Sequence, residues 1–159
     1  MRLRPVEEAD VAAVTSLNEA HVPMVAPADD ARVAYLRRLA DRFDVIEVDG
    51  KVAGLVVTFT PGSSYDSQNY RWFSAQYGDD FYYLDRVVVD ASVRRRGVAG
   101  RVYDELEQVA AAYGRMALEV NLVPRNDGSL AFHAQRGYAE VGQLGDPDHL
   151  VSLLVKPLP

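Results

Sequence analysis

The chain contains no cysteine. That excludes a disulfide framework, a thiolate metal site and a cysteine nucleophile, and it matches a reducing, cytoplasmic setting. Histidine is scarce: His21, His133 and His149 stand far apart, so no histidine-rich metal centre is expected. No apolar run suits a bilayer; the longest, Val52 to Phe59, falls well short of the roughly 20 residues a spanning helix needs. The opening MRLRPVEEADV carries charges and has no apolar stretch of the secretory type, so no signal peptide and no membrane partner are expected. Net positive charge is also missing. At −6 the chain is a poor partner for bulk nucleic acid. Three nucleotide and hydrolase motifs are absent as well. Without G-x-x-x-x-G-K-[ST], G-x-G-x-x-G or G-x-S-x-G, a P-loop, a dinucleotide-binding turn and a nucleophile elbow are all unsupported.

What is present suits one folded domain over residues 1–159. Hydrophobic residues make up 48% of the chain, enough for a single core at this length. Arg2 to Arg4 reads as a short strand. Val11, Val14, Leu17 and His21 recur at helical spacing behind Asp10, a possible cap. Asp29 or Asp30 caps a second helix whose apolar face is Val33, Leu36 and Leu39. Phe43–Val48 and Val52–Phe59 read as strands joined by Asp49-Gly50, the dipeptide of a tight type I′ hairpin. Residues 61–80 read as a long loop, polar but rich in aromatics. Phe81–Val89 is a strand apolar enough to lie in a sheet covered on both faces. A helix with Val98, Val102, Leu106 and Val109 on one stripe runs to about Gly114. Ala117–Leu122 is a strand, Asn126 caps a helix reaching about Arg136 with Gly137 behind it, and Tyr138–Val141 and Val151–Val155 close the sheet. This order implies an α/β layer fold with a mixed sheet.

The stretch from Val87 to Arg101 carries the most chemistry. Val87, Val88 and Val89 end a strand. Arg94, Arg95 and Arg96 follow, then Gly97 at a helix start. Backbone N–H groups in the first turn of a helix lack partners within it, and the helix dipole favours negative charge there. A glycine lets a phosphate approach closely. Four arginines between positions 94 and 101 on an acidic chain point to a small anionic ligand rather than to nucleic acid.

Arg94-Arg95-Arg96-Gly97-Val98-Ala99 fits the pattern [QR]-x-x-G-x-[GA] directly after a strand. Downstream stand Leu118-Glu119-Val120-Asn121-Leu122, then Asn126 and Ser129, then Phe132-His133 and Gly137-Tyr138. With these spacings the sequence resembles the GNAT superfamily of acyl-CoA N-acyltransferases, closely over about residues 82–141. The resemblance implies a mixed, mostly antiparallel sheet of about seven strands with about four helices. It implies acetyl-CoA as cofactor. The backbone of Val87, Val88 and Val89 is then expected along the pantetheine arm. The amides from Arg95 to Arg101, including Val98, Ala99 and Gly100, take the pyrophosphate, and Asn126 and Ser129 also touch the cofactor. Relatives are frequently dimers, so a homodimer is possible.

The implied reaction is transfer of acetyl to the primary amine of a small-molecule or amino acid-like acceptor by direct attack. A protein or peptide acceptor, and a CoA-binding regulatory module without activity, are the alternatives. An alkylammonium has a pKa near 10, so a base must strip a proton. Asp85 is the first choice as base, because strand alternation places it on one face with Val87 and Val89 unless a bulge intervenes. Equally, it can serve as an ion-pair partner of Arg86 or Arg71. Glu119 is the second choice, and Tyr83 could order a water instead. The amide of Val89 is expected to steady the oxyanion. Where many relatives have a tyrosine as acid toward sulfur, this chain has His133, which either donates to sulfur or packs beside the cofactor while solvent supplies the proton. For the acceptor, Tyr65, Asp66, Asn69, Tyr70, Arg71 and Trp72 combine ring faces, a carboxylate and a guanidinium. A hydrophobic lid explains the same aromatics.

Overall fold

A computed structural model describes residues 1–159. Seven strands form one sheet in the order β1-β2-β3-β4-β5-β7-β6. They are β1 (Arg2–Pro5), β2 (Arg42–Val48), β3 (Lys51–Phe59), β4 (Tyr82–Val89), β5 (Arg115–Val123), β6 (Ala139–Asp146) and β7 (His149–Pro157). Every neighbouring pair is antiparallel except β4 with β5. Five helices accompany the sheet, one more than the sequence suggests: α1 (Val11–Ala20), α2 (Asp30–Leu39), α3 (Gln68–Tyr77), α4 (Val98–Ala110) and α5 (Asp127–Gln135).

Local chemistry explains most boundaries. At the β2–β3 turn Asp49 and Gly50 both take positive φ, 53° and 76°, as a type I′ hairpin requires. Asp29 is the cap of α2, accepting from the Arg32 amide at 2.8 Å. Asp10 precedes α1 but does not cap it. Its carboxylate instead accepts from the Glu7 amide at 2.8 Å and from Arg4 at 2.7 Å, tying the first strand to the turn before the helix. Asn126 caps α5 through the Ser129 amide.

The additional helix, α3, lies inside the segment expected to be a loop. Ser67 accepts from the Tyr70 amide at 3.2 Å, and Gly78, with φ of 63°, ends the helix. Tyr70, Phe73 and Tyr77 follow helical spacing, and their ring packing fixes the segment. The closing strands are also longer than expected. Their turn is held by Asp146, whose carboxylate accepts from the Asp148 and His149 amides, both at 2.9 Å.

The sheet separates two cores. On one face Val14, Val33 and Leu36 from α1 and α2, with Tyr70 and Phe73 from α3, pack on Val45, Leu55 and Val57. On the other, Val98, Val102, Leu106 and Ala110 of α4 pack on Val56, Leu84 and Leu118. A fully buried side chain such as Leu106 contributes roughly 1.5–3 kcal/mol to that packing. Arg136 then locks α5 to α4 through Asp104 (2.9 Å) and Glu107 (3.1 Å).

Candidate active site

The parallel pair β4/β5 is brief. Only Tyr82 with Met116 and Tyr83 with Ala117 are in register; beyond them the strands diverge, each still paired to its outer neighbour. A cleft of about 430 Å³ opens in the gap, walled by apolar Leu84, Val87, Leu118 and Val120. The Asp90 amide donates to the Ala53 carbonyl of β3 at 2.8 Å. Because backbone groups alternate along a strand, those of Val88 turn to β3 while those of Val87 and Val89 turn into the gap. Two residues of unpaired sheet edge therefore face the cleft.

The helix beside this edge begins as an anion site should. Gly97 adopts a left-handed conformation, φ 74°, which a residue with a Cβ enters only at a cost of about 1–2 kcal/mol. The first bond within α4 runs from the Arg101 amide to the Gly97 carbonyl at 3.2 Å. The amides of Val98, Ala99 and Gly100 precede it and have no acceptor in the helix. Arg95 also has positive φ, 65°, and neither it nor Arg101 forms an ion pair, whereas Arg96 reaches Asp49 at 3.2 Å. A Cβ on Gly100 would meet nothing nearer than Arg136 Nη1 at 4.0 Å, so that glycine is not needed for room. Orphaned amides, two free arginines and an open sheet edge together fit a long ligand with a diphosphate at one end and amide groups along its arm.

At the other end of the cleft lies a buried polar floor. The β3–β4 register shifts between Val57 and Thr58: Val57 pairs with Arg86 and Thr58 with Leu84, so Asp85 is the extra residue of a bulge. The shared face expected for Asp85, Val87 and Val89 is therefore lost. Asp85 sits with the opposite core, where its carboxylate accepts from the Tyr65 hydroxyl at 2.5 Å and from Arg86 Nε at 2.6 Å. Both partners of that ion pair are 5% exposed. Arg86 also donates through Nη1 to Asn18 Oδ1 and to the Ala26 carbonyl, each at 3.0 Å.

Glu119 is built differently. Half-buried on β5, it lines the cleft and accepts from the Tyr83 hydroxyl on both oxygens at 2.8 Å. No arginine or lysine pairs with it. Burial, reinforced by the nearby Asp85 charge, pushes its carboxyl up to about 8. Of the two carboxylates, Glu119 alone is free of a cation and poised near neutral pH.

His133 is buried on α5, and both ring nitrogens are engaged. Nδ1 lies 2.7 Å from the Ser129 carbonyl and so carries the proton, which leaves Nε2 to accept from the Tyr103 hydroxyl at 2.7 Å. Burial lowers its pKa, favouring this neutral tautomer. In this arrangement the histidine has no free N–H to offer to sulfur.

The aromatic segment divides on forming a helix. Tyr65, Asp66 and Asn69 line the cleft. Asp66 is held by Arg32 in a two-bond pair at 2.7 and 2.8 Å, and Tyr65 is stacked on Phe59 with centroids 3.9 Å apart. Tyr70 instead turns into the core and donates to the Thr60 carbonyl at 2.7 Å. Trp72 lies against Gly142 of β6, and Arg71 is exposed. Tyr70, Arg71 and Trp72 thus lie outside the lining of the cleft. Several residues escape sequence reasoning: Arg32, Tyr103 and Asn121, which line the cleft, and Asn18, buried behind it against Arg86. Only Asn18 left a trace, a polar residue on the buried stripe with Val11 and Val14.

The comparisons agree with this architecture. The chain is similar in structure to Ard1 from Thermoplasma volcanium (18% identity, 99% of this chain and 97% of that one, TM-score 0.78). It is likewise similar to the ribosomal-protein-S18-alanine N-acetyltransferase from Escherichia coli (16%, 99% and 93%, 0.72). A third likeness is to Naa20 of Chaetomium thermophilum, solved in complex with a bisubstrate analogue (20%, 99% and 87%, 0.75). None of the curated proteins matches the sequence. A family model described as Acetyltransferase (GNAT) family matches residues 12–138, most of the chain, and the chain belongs to that family of acetyltransferases.

Proposed function

We propose that residues 1–159 act as one domain that transfers acetyl from acetyl-CoA to a primary amine, with Glu119 as general base. The observation that carries this reading is a carboxylate in no ion pair, pushed up to about 8, in a cleft beside the open edge of β4, with three unpaired amides at the start of α4 following that strand. Acetyl-CoA, when bound, supplies an acetyl thioester. The amides of Val98, Ala99 and Gly100 would take its diphosphate, with Arg94 to Gly97 and the Arg101 side chain around them; the Arg101 amide, expected among them, is already spent on the Gly97 carbonyl. The edge groups of Val87 and Val89 run along its arm, and Asn126 and Ser129 flank it. The amide of Val89 is the donor for developing negative charge on the carbonyl oxygen.

The acceptor enters as an ammonium. Glu119 Oε takes one of its protons, and the nitrogen lone pair so freed is the nucleophile. Tyr83 holds the carboxylate in place, and its own hydroxyl is kept protonated by burial. Asp85 is not the base in this scheme. It pairs with Arg86 and anchors the floor. His133 orients Tyr103 rather than delivering a proton itself, so as the C–N bond forms and the C–S bond breaks the departing thiolate would take its proton from solvent.

Glu119→Gln keeps the shape and the Tyr83 bond but cannot accept a proton. The variant should bind CoA as the parent does in calorimetry, while kcat with a saturating amine falls by roughly 10²–10⁴-fold. Parental turnover in the variant removes Glu119 from the role. Absence of any heat with acetyl-CoA removes the whole reading.

A further inference from the structure

Within the cleft, charge is almost fully accounted for before any acceptor arrives. Arg32 is held by Asp66 through two bonds of 2.7 and 2.8 Å. Arg86 is held by Asp85 through Nε at 2.6 Å, and its Nη1 is spent on Asn18 and the Ala26 carbonyl. Arg71 stands exposed outside the cleft, so it does not supply a third guanidinium. One group remains without an ion pair: Glu119, held by two neutral partners, the Tyr83 hydroxyl and the Asn69 side chain. The cleft therefore has room for one positive charge and no free partner for a negative one.

We propose that the acceptor is a monocationic amine with no carboxylate next to it: an amine on a neutral or amide-bearing carbon, as in a simple monoamine or a peptide N-terminus, and not a free amino acid. The amino acid-like acceptor that an exposed Arg71 invites is thereby set aside. A carboxylate attached beside the reacting amine would sit about 6 Å from Glu119, with like charge. At the effective dielectric of a partly wet protein site that repulsion is worth on the order of a hundredfold in affinity. To escape it the carboxylate must displace Asp85 from Arg86, breaking a buried pair whose remaining partner would be stranded. Two further basic rings line the cleft: His149, exposed at the β6–β7 turn and screened there by water, and His21, whose Nδ1 is spent on the Leu17 carbonyl at 2.8 Å and whose Nε2 faces Arg94.

This inference rests on the transferase reading for its biological meaning, but its physical content is a binding preference that is measurable without turnover. The experiment uses the whole protein loaded with CoA, at pH 8.5 so that Glu119 is ionised, with each affinity corrected to the ammonium fraction of that amine, since α-amino groups beside an amide titrate at about 8. Matched pairs are titrated calorimetrically: glycine against glycinamide, and phenylalanine against phenylalaninamide. Phenethylamine and a neutral-capped dipeptide with a free amino end separate the monoamine from the peptide source. The amides should bind at least tenfold more tightly than the acids. In Glu119→Gln the preference should shrink to within about threefold, because the repelling charge is gone. Equal binding of acid and amide, preference for the acid, or no binding by any amide overturns the inference. The same pairs are then assayed with acetyl-CoA by release of free thiol. Amides that bind selectively but are never acetylated leave the charge selection standing and sink the transferase reading. Acids and amides acetylated with equal kcat/KM do the reverse.

Discussion

Glu119→Gln makes a second prediction that is independent of any substrate, because an active-site carboxyl raised by burial costs stability. The unfolded chain ionises Glu119 near its ordinary 4.5, whereas the fold holds it up to about 8. The sign follows from proton linkage: a folded-state pKa raised above the unfolded value means that the native state retains the proton longer. The associated stability is fully present below pH 4.5 and is lost as the pH climbs through 8. At about 1.4 kcal/mol per pH unit the ceiling on that loss is about 5 kcal/mol. Glu119 keeps some contact with water in the cleft, so we expect about 2 kcal/mol. Glutamine carries no charge to desolvate and retains an acceptor for Tyr83. Urea unfolding at pH 5, 7 and 9, with ΔG extrapolated linearly to water, should therefore give curves that start together. They should then separate, the variant becoming the more stable by about 2 kcal/mol at pH 9. Parallel curves across that range would refute the buried, cation-free description of Glu119. A variant less stable at every pH would show that the two-oxygen bond from Tyr83 outweighs the burial of charge.

The remaining predictions concern the two ends of the cleft. In the wild type, kcat/KM should rise about tenfold per pH unit below about 8 and level above it, as expected of a base of that pKa acting on an amine near 10; a flat profile from pH 6 to 9 would exclude Glu119 as the titrating group. Asp85→Asn leaves Arg86 buried without its counter-charge, and should lower stability by about 3–5 kcal/mol in urea; a loss below 1 kcal/mol would mean that the pair is not buried as described. Gly97→Ala forces a Cβ into φ 74° at about 1–2 kcal/mol, and should weaken CoA binding several-fold by calorimetry, while Gly100→Ala, with open space around it, should bind CoA normally. Tyr103→Phe strands His133 Nε2 and should cost about 1–3 kcal/mol of stability, checked against the double variant with His133→Phe, whose loss should be smaller than the sum of the two singles.

The two ends of the cleft differ in how they are encoded, and that difference explains what could be read from the sequence. The cofactor side is made of backbone: a strand edge at Val87 and Val89 and unpaired amides after Gly97. Backbone geometry is announced locally by a β-branched run, a glycine and a helical stripe within fifteen residues, so the stretch is legible without knowing what packs on it. The acceptor side is made of side chains from distant segments. Arg86 meets Asn18 across 68 positions, and Asn121 donates to the Pro23 carbonyl at 2.9 Å across 98; no local pattern records such contacts. The bulge at Asp85 is a further case. Alternation along β4 placed Asp85 with Val87, but one residue too many opposite β3 reverses the face of everything before it, and the register depends on a strand more than 25 residues away. The helix at 68–77 was hidden for another reason. Its apolar residues are aromatic and interspersed with polar ones, so composition spoke for a binding loop while Ser67, Gly78 and the spacing of Tyr70, Phe73 and Tyr77 spoke for a capped helix. Ring packing decided in favour of the helix, which took Tyr70 into the core and left Arg71 in solvent. Because Arg71 is thereby removed, the cleft has no spare cation, and the choice between an acceptor with a carboxylate and one without it follows from where one short helix begins.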